Sequence, residues 1–142
     1  MVSYDHAHRL VSEIIAHNSA GDQFTHSVPP DWPIEAWRIL LKAKSDQWDT
    51  ENLHFWLAGH VNAPNEVVRA LAASPTMRVR WRIARKRNLP LDLFALLAGD
   101  EDEGVRSSIA ENKKTPHEVL VRLISDPSES VRRVVELRLA AR

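Results

Sequence analysis

The chain of 142 residues contains no cysteine, which excludes disulfides, thiolate zinc sites, cysteine-ligated iron–sulfur clusters and a cysteine nucleophile. That absence accords with a cytoplasmic protein. The four glycines are scattered, so no run of backbone N–H groups is set up to cradle a phosphate. No nucleophile motif occurs, and acidic side chains cluster only in the run from Asp100 to Glu103. These absences argue against an enzyme and against a cofactor. Lysine and arginine number 19, as do aspartate and glutamate, for a formal net charge of zero. No global basic field therefore draws the chain onto nucleic acid or acidic lipid. No apolar run approaches the length of a membrane span. The opening MVSYDHAHRL lacks a basic region followed by an apolar core, so no secretion signal is expected.

What the chain does have is self-similarity. Pro64, Pro90 and Pro116 stand 26 residues apart and open three matching copies. Three residues on are Val67, Leu93 and Val119, and seven on are Leu71, Leu97 and Leu123. Fifteen on stand Val79, Val105 and Val131, each followed by an arginine: Arg80, Arg106 and Arg132. Four beyond each valine come Ile83, Ile109 and Val135. A fixed period on this scale marks a repeat array whose units bury their apolar faces against one another. If the copies stack, the chain is long enough for one domain with a substantial core.

Each copy reads as two short helices. The first begins at the proline, where the missing N–H costs nothing; Thr115 is placed to cap it, with Glu118 at the capping-box position. The second starts near Val79, Val105 or Val131 and runs about two turns, too short to persist without neighbours. Upstream lies a degenerate copy. Asp31 offers a cap and Pro33 a first turn, followed by the stripe Ala36, Trp37, Leu40 and Leu41. Leu53 and Leu57 occupy the register of Val79 and Ile83, and about five extra residues fall within 45–52. Residues 3–18 read as an amphipathic helix through Ala7, Leu10, Val11, Ile14 and Ile15, and 19–32 as a connecting loop. The expected layout is 1–32 as an N-terminal helix and loop, 33–63 as the irregular copy, and 64–89, 90–115 and 116–142 as regular ones.

The stretch DEDEGVRSSIAENKKTPHEVLVRL, from Asp100 to Leu123, closely resembles the repeat motif of the leucine-rich repeat variant family, itself similar to HEAT-type helical repeats. The resemblance extends over 64–142, weakly over 33–63 and not over 1–32. It implies an all-α fold, a right-handed α-solenoid of short helix pairs with α or 3₁₀ second helices; the unmatched helix over 3–18 is expected to cap it at the N-terminal end. It implies no reaction. The family's prototype carries an iron–sulfur module, which a chain without cysteine does not share. Asp100 lies six before Arg106, and Asp126 six before Arg132; this pairing is similar to one in HEAT-type repeats. Such arginines, Arg80 included, are expected to bind loop carboxylates and carbonyls of their own or the next copy as a structural ladder. Ser74 replaces the aspartate before Arg80, so that arginine is expected to be the freest.

The main departure from the repeat is MRVRWRIARKR, residues 77–87. On a helix Arg78, Trp81, Arg82 and Arg85 share one face. The next copy has Gly104, Ser107, Ser108 and Glu111 there, so the stripe is not required by the repeat. Phe55 and Trp56 hold the positions matching Trp81 and Arg82 one copy earlier. Aromatic residues with arginine make up interface hot spots and nucleic-acid stacking platforms. Three readings stay open: cover for the N-terminal helix, a protein-binding surface formed by Phe55, Trp56, Arg78, Trp81, Arg82 and Arg85, or nucleic-acid binding through Arg78, Arg82, Arg85, Lys86 and Arg87. The neutral net charge and the nearby acidic run weigh against nucleic acid. A protein partner is the expected one, with no membrane association.

Five tryptophans lie between residues 32 and 81. Most read as core or cap residues; Trp48, in the inserted segment, is a candidate anchor. Of seven histidines, His6, His8 and His17 share the first helix at spacings that cannot converge on an ion, and no metal site is expected. At the other end, Glu136 replaces the alanine of earlier copies, and Val134 and Leu137 stand on a stripe expected to be exposed. These residues either close the array or touch a second chain, giving a monomer or a weak homodimer through the C-terminal edge.

Overall fold

A computed structural model describes residues 32–43 and 50–141, together with Arg9, Ser12 and Glu13. Those last three are helical and exposed. The rest of the helix expected over 3–18, including His6, His8 and His17, lies outside the described residues, as do Asp31 and Trp48. Among the described residues every regular element is helical and none is a strand. The chain divides into two compact units, Met1–Leu71 and Ala72–Arg142.

In the first unit, α1 (Ile34–Lys42) starts after Pro33, whose fixed φ of −68° suits the N-cap. Ala36, Trp37 and Leu40 form its buried stripe. Helix α2 (Thr50–Gly59) buries Leu53, Leu57 and Ala58. His54 Nε2–H donates to the Leu41 carbonyl at 2.9 Å, tying α2 to the end of α1. Arg38 on α1 holds Glu66 of α3 (Asn65–Ala72) through two parallel bonds, Nε to Oε2 at 2.6 Å and Nη2 to Oε1 at 3.0 Å. Hydrogen bonding to Arg38 lowers the Glu66 carboxyl below its ordinary pKa, although both side chains are about half exposed.

The second unit contains α4 (Met77–Ala84), α5 (Leu91–Ala98), α6 (Glu103–Glu111), α7 (His117–Arg122), a 3₁₀ turn (Leu123–Ser125) and α8 (Glu129–Ala140). Helix α6 packs between α4 and α8, and α5 packs on α7. The periodic positions are the core: Val79, Ile83, Val105, Ile109, Val131 and Val135 are all fully buried. The second helices begin two residues before the periodic valines. All three are α-helical, and the one 3₁₀ segment among the described residues instead ends a first helix. Pro90 and Pro116 stand at the N-cap rather than in the first turn. Thr115 does not cap α7: it is buried, and its hydroxyl donates back to the Ile109 carbonyl at 2.6 Å.

A turn recurs before each second helix. Ser74 Oγ accepts from the Thr76 N–H (3.1 Å), Asp100 Oδ1 from the Asp102 N–H (2.9 Å), and Asp126 Oδ1 from the Ser128 N–H (2.9 Å). These side chains shape the chain reversal locally. Of α4, α6 and α8, only α6 then gains a side-chain N-cap: Asp102 accepts from the N–H groups of Gly104 (2.8 Å) and Val105 (3.2 Å).

Candidate binding surface

The arginines of the repeat point inward. Arg80 Nη1 donates to the Ser74 carbonyl at 2.8 Å, while Nε and Nη2 grip the Asp100 carboxylate at 2.8 and 3.3 Å. One copy later Arg106 repeats the pattern, with Nη1 on the Asp100 carbonyl (2.8 Å) and the fork on Asp126 (2.8 and 3.2 Å). Each arginine thus takes a carbonyl six residues back and a carboxylate twenty ahead. The expectation that Arg80 is the freest is therefore wrong. The aspartate that matters to it belongs to the following copy, so Ser74 need supply only a carbonyl. Among the described residues it is Arg132 that meets no carboxylate: its Nη1 donates to the Asp126 carbonyl at 2.7 Å. The Arg80 and Arg106 guanidiniums are held above the ordinary arginine pKa chiefly by their bonds to Asp100 and Asp126.

A second column was not visible in the sequence. The Asn112 amide donates to the carbonyls of Ala84 (2.9 Å) and Lys86 (2.8 Å), and Arg138 Nη1 donates to those of Ala110 (2.8 Å) and Asn112 (3.0 Å). His60 and Lys86 occupy the same register in earlier copies and are also buried. What links Asn112 and Arg138 is donor capacity, not residue type, so a search for repeated identities passes over them.

With the core and both columns accounted for, α4 still carries residues the repeat does not use. Val79, Arg80, Ile83 and Ala84 are its buried side. Arg78 and Arg85 are exposed, and Trp81 and Arg82 half-buried. The Arg85 guanidinium carbon lies 4.9 Å from the centroid of the Trp81 ring, a cation–π contact one turn along the same face. No acidic residue occupies the first turn of α4.

Of the other residues expected at the surface, Phe55 and Trp56 are half-buried on α2 in the first unit. Trp56 stands edge-on to His60 at 5.4 Å, His60 to Trp37 at 5.4 Å, and Trp37 to Trp32 at 5.4 Å. Four rings thus form one edge-to-face row, and His60 is the member that sequence reasoning missed. Arg87 is exposed, but Lys86 is not. Burial, and then the nearby charge of Arg82, push the Lys86 ammonium below the ordinary lysine pKa. Lys86 therefore drops out of the basic set considered for phosphate contact.

The acidic run is similarly taken up. Asp100 pairs with Arg80 and Asp102 caps α6, which leaves Glu101 and Glu103 at the surface. Beside these loops an open hollow of about 350 Å³ is lined by residues including Gly99, Asp100, Arg106, Arg122 and Asp126. Both of its carboxylates are already bound to arginines. Among the described residues no group of three or more histidine, aspartate or glutamate side chains could hold a metal ion, and no helix is long and apolar enough to cross a membrane.

Comparison with family models, curated proteins and solved structures returns no match for this chain.

Proposed function

We propose that this chain is a non-catalytic, cytoplasmic protein-binding scaffold: a right-handed α-solenoid of the leucine-rich repeat variant type whose surface along α4 docks a protein partner. One observation carries the reading. On a single two-turn helix, Arg80 is buried in the ladder, whereas Trp81 and Arg85, which have no counterpart in the next copy, pair with each other on the opposite side. An indole stacked with a guanidinium offers a partner a rigid apolar plate and a charged edge, the composition that dominates interface energetics. The partner suited to it presents an apolar side chain flanked by carboxylates. Nucleic-acid binding through the same arginines is the competing reading, and the burial of Lys86 counts against it.

The test is affinity capture from nuclease-treated extract with wild type and Trp81→Ala, plus fluorescence anisotropy with a labelled single-stranded oligonucleotide. The proposal expects proteins held by the wild type to be lost with Trp81→Ala, and their retention to change little between low and moderate salt. Oligonucleotide binding that falls steeply with salt would overturn it, as would identical capture by both proteins.

A further inference from the structure

The open hollow of about 350 Å³ between the loops of copies 90–115 and 116–142 differs in charge from the same place one copy earlier. Counting back 26 residues puts Leu96 where Arg122 stands and Glu101 where Pro127 stands. In the earlier place Glu101 Oε1 lies 3.6 Å from Arg80 Nη2, beside the fork that already holds Asp100. An arginine of the ladder thus attracts a second carboxylate from the solvent side. In the hollow Pro127 has removed that carboxylate, and Arg122 has added a guanidinium. Both exchanges make the place more positive.

Arg106 has donors to spare there. A guanidinium carries five N–H groups, and Arg106 commits one each from Nε and Nη2 to Asp126 and one from Nη1 to the Asp100 carbonyl. Its side chain is 13% exposed and lines the hollow, so an acceptor entering the hollow can reach the remaining donors. Arg122 is exposed and, among the described residues, has no ion pair and no side-chain hydrogen bond. The outward setting belongs to the repeat. Leu96 is 57% exposed and the Glu101 side chain 89% exposed, although copy 116–142 packs after them.

We propose that this hollow binds an acidic peptide, with Arg122 and the spare N–H groups of Arg106 taking one of its side-chain carboxylates, as Arg80 takes Glu101 from within the chain. Charge selects a carboxylate over a phosphate. Asp100 and Asp126 line the same hollow, and Glu103 lies near enough to act on Arg106. A doubly charged phosphate would be repelled by these groups more strongly than a singly charged carboxylate. Size agrees, since ligand sites run from about 300 to 1,000 Å³ and an open hollow at the small end suits a side chain. Leu123 and Pro127 offer apolar surface to its methylene stem. The site shares no residue with the α4 surface and does not depend on that reading.

NMR titration of the full chain tests this, following the amide signals of Gly99 and Ser125, which line the hollow. The probes are a blocked peptide of alternating glutamate and glycine, its glutamine analogue, and inorganic phosphate. The variants are Arg122→Leu, Pro127→Glu and, outside the hollow on α8, Arg133→Gln. Each replaces an exposed residue and makes the chain more negative by the same amount; the first two install what the preceding copy has, and circular dichroism checks folding. The expected result is saturable shifts with the glutamate peptide and none with the glutamine one. Dissociation constants should rise about fivefold or more with Arg122→Leu and Pro127→Glu, and less than about twofold with Arg133→Gln. No binding by wild type, equal weakening in all three variants, or tighter binding of inorganic phosphate would overturn the proposal.

Discussion

Arg106 grips the carboxylate of Asp126, twenty residues ahead, and takes from Asp100, six residues back, only the main-chain carbonyl. Consecutive copies are therefore joined by a charge-assisted fork as well as by apolar packing. Asp126 is 6% exposed and accepts three hydrogen bonds, two from Arg106 and one from the Ser128 N–H. Removing it leaves a largely buried guanidinium with a carbonyl but no carboxylate, which typically costs about 3 kcal/mol or more. Arg132→Ala loses one bond to a carbonyl, worth about 1 kcal/mol. Urea unfolding should thus rank Asp126→Ala well below Arg132→Ala. Equal losses would mean that the ladder does not hold the copies together.

The second column gives a sharper contrast. Both amide hydrogens of Asn112 are committed to carbonyls, and Asn112→Ala leaves these buried acceptors unpaired at about 2 kcal/mol. Asn112→Asp should be worse at neutral pH, since a carboxylate can only accept and would face two carbonyl oxygens. Protonation restores a donor, so this variant should gain stability relative to Asn112→Ala as the pH is lowered. Thermal unfolding at two pH values reads the difference directly.

Burial lowers the pKa of Lys86 in the folded protein, so between the folded and unfolded values the unfolded chain binds more protons. Stability should therefore rise with pH across that window. Below it, the folded protein carries the full penalty of the buried charge. Lys86→Met removes the titrating group, and unfolding free energies on the alkaline side should lose this rise. A slope the same in both proteins would place its origin elsewhere.

The apolar part of the fold was legible because burial selects residue type: Val79, Ile83, Val105 and Ile109 recur at a fixed period and are all fully buried. The polar part was less so. The spacing of Asp100 and Arg106 left open whether the carboxylate came from the arginine's own copy or the next one; Arg106 takes the Asp126 carboxylate and from Asp100 only the carbonyl. Thr115 looked like a cap by position, but the proline after it provides the turn and its hydroxyl is drawn to the Ile109 carbonyl. On the candidate surface, Trp81 was identifiable because it broke the repeat. His60 was not, since a lone histidine carries no sign that three tryptophans will line up with it.

The central claim is that α4 divides its arginines, with Arg80 serving the fold and Arg85, over Trp81, serving a partner. The most direct measurement is capture of binding proteins by wild type and Arg85→Glu, with urea unfolding of the same two samples. The account predicts that Arg85→Glu unfolds within about 1 kcal/mol of wild type, the scale of an exposed cation–π contact, and no longer retains the proteins the wild type holds. Unchanged capture with unchanged stability would contradict it, leaving the Trp81–Arg85 pair as surface decoration.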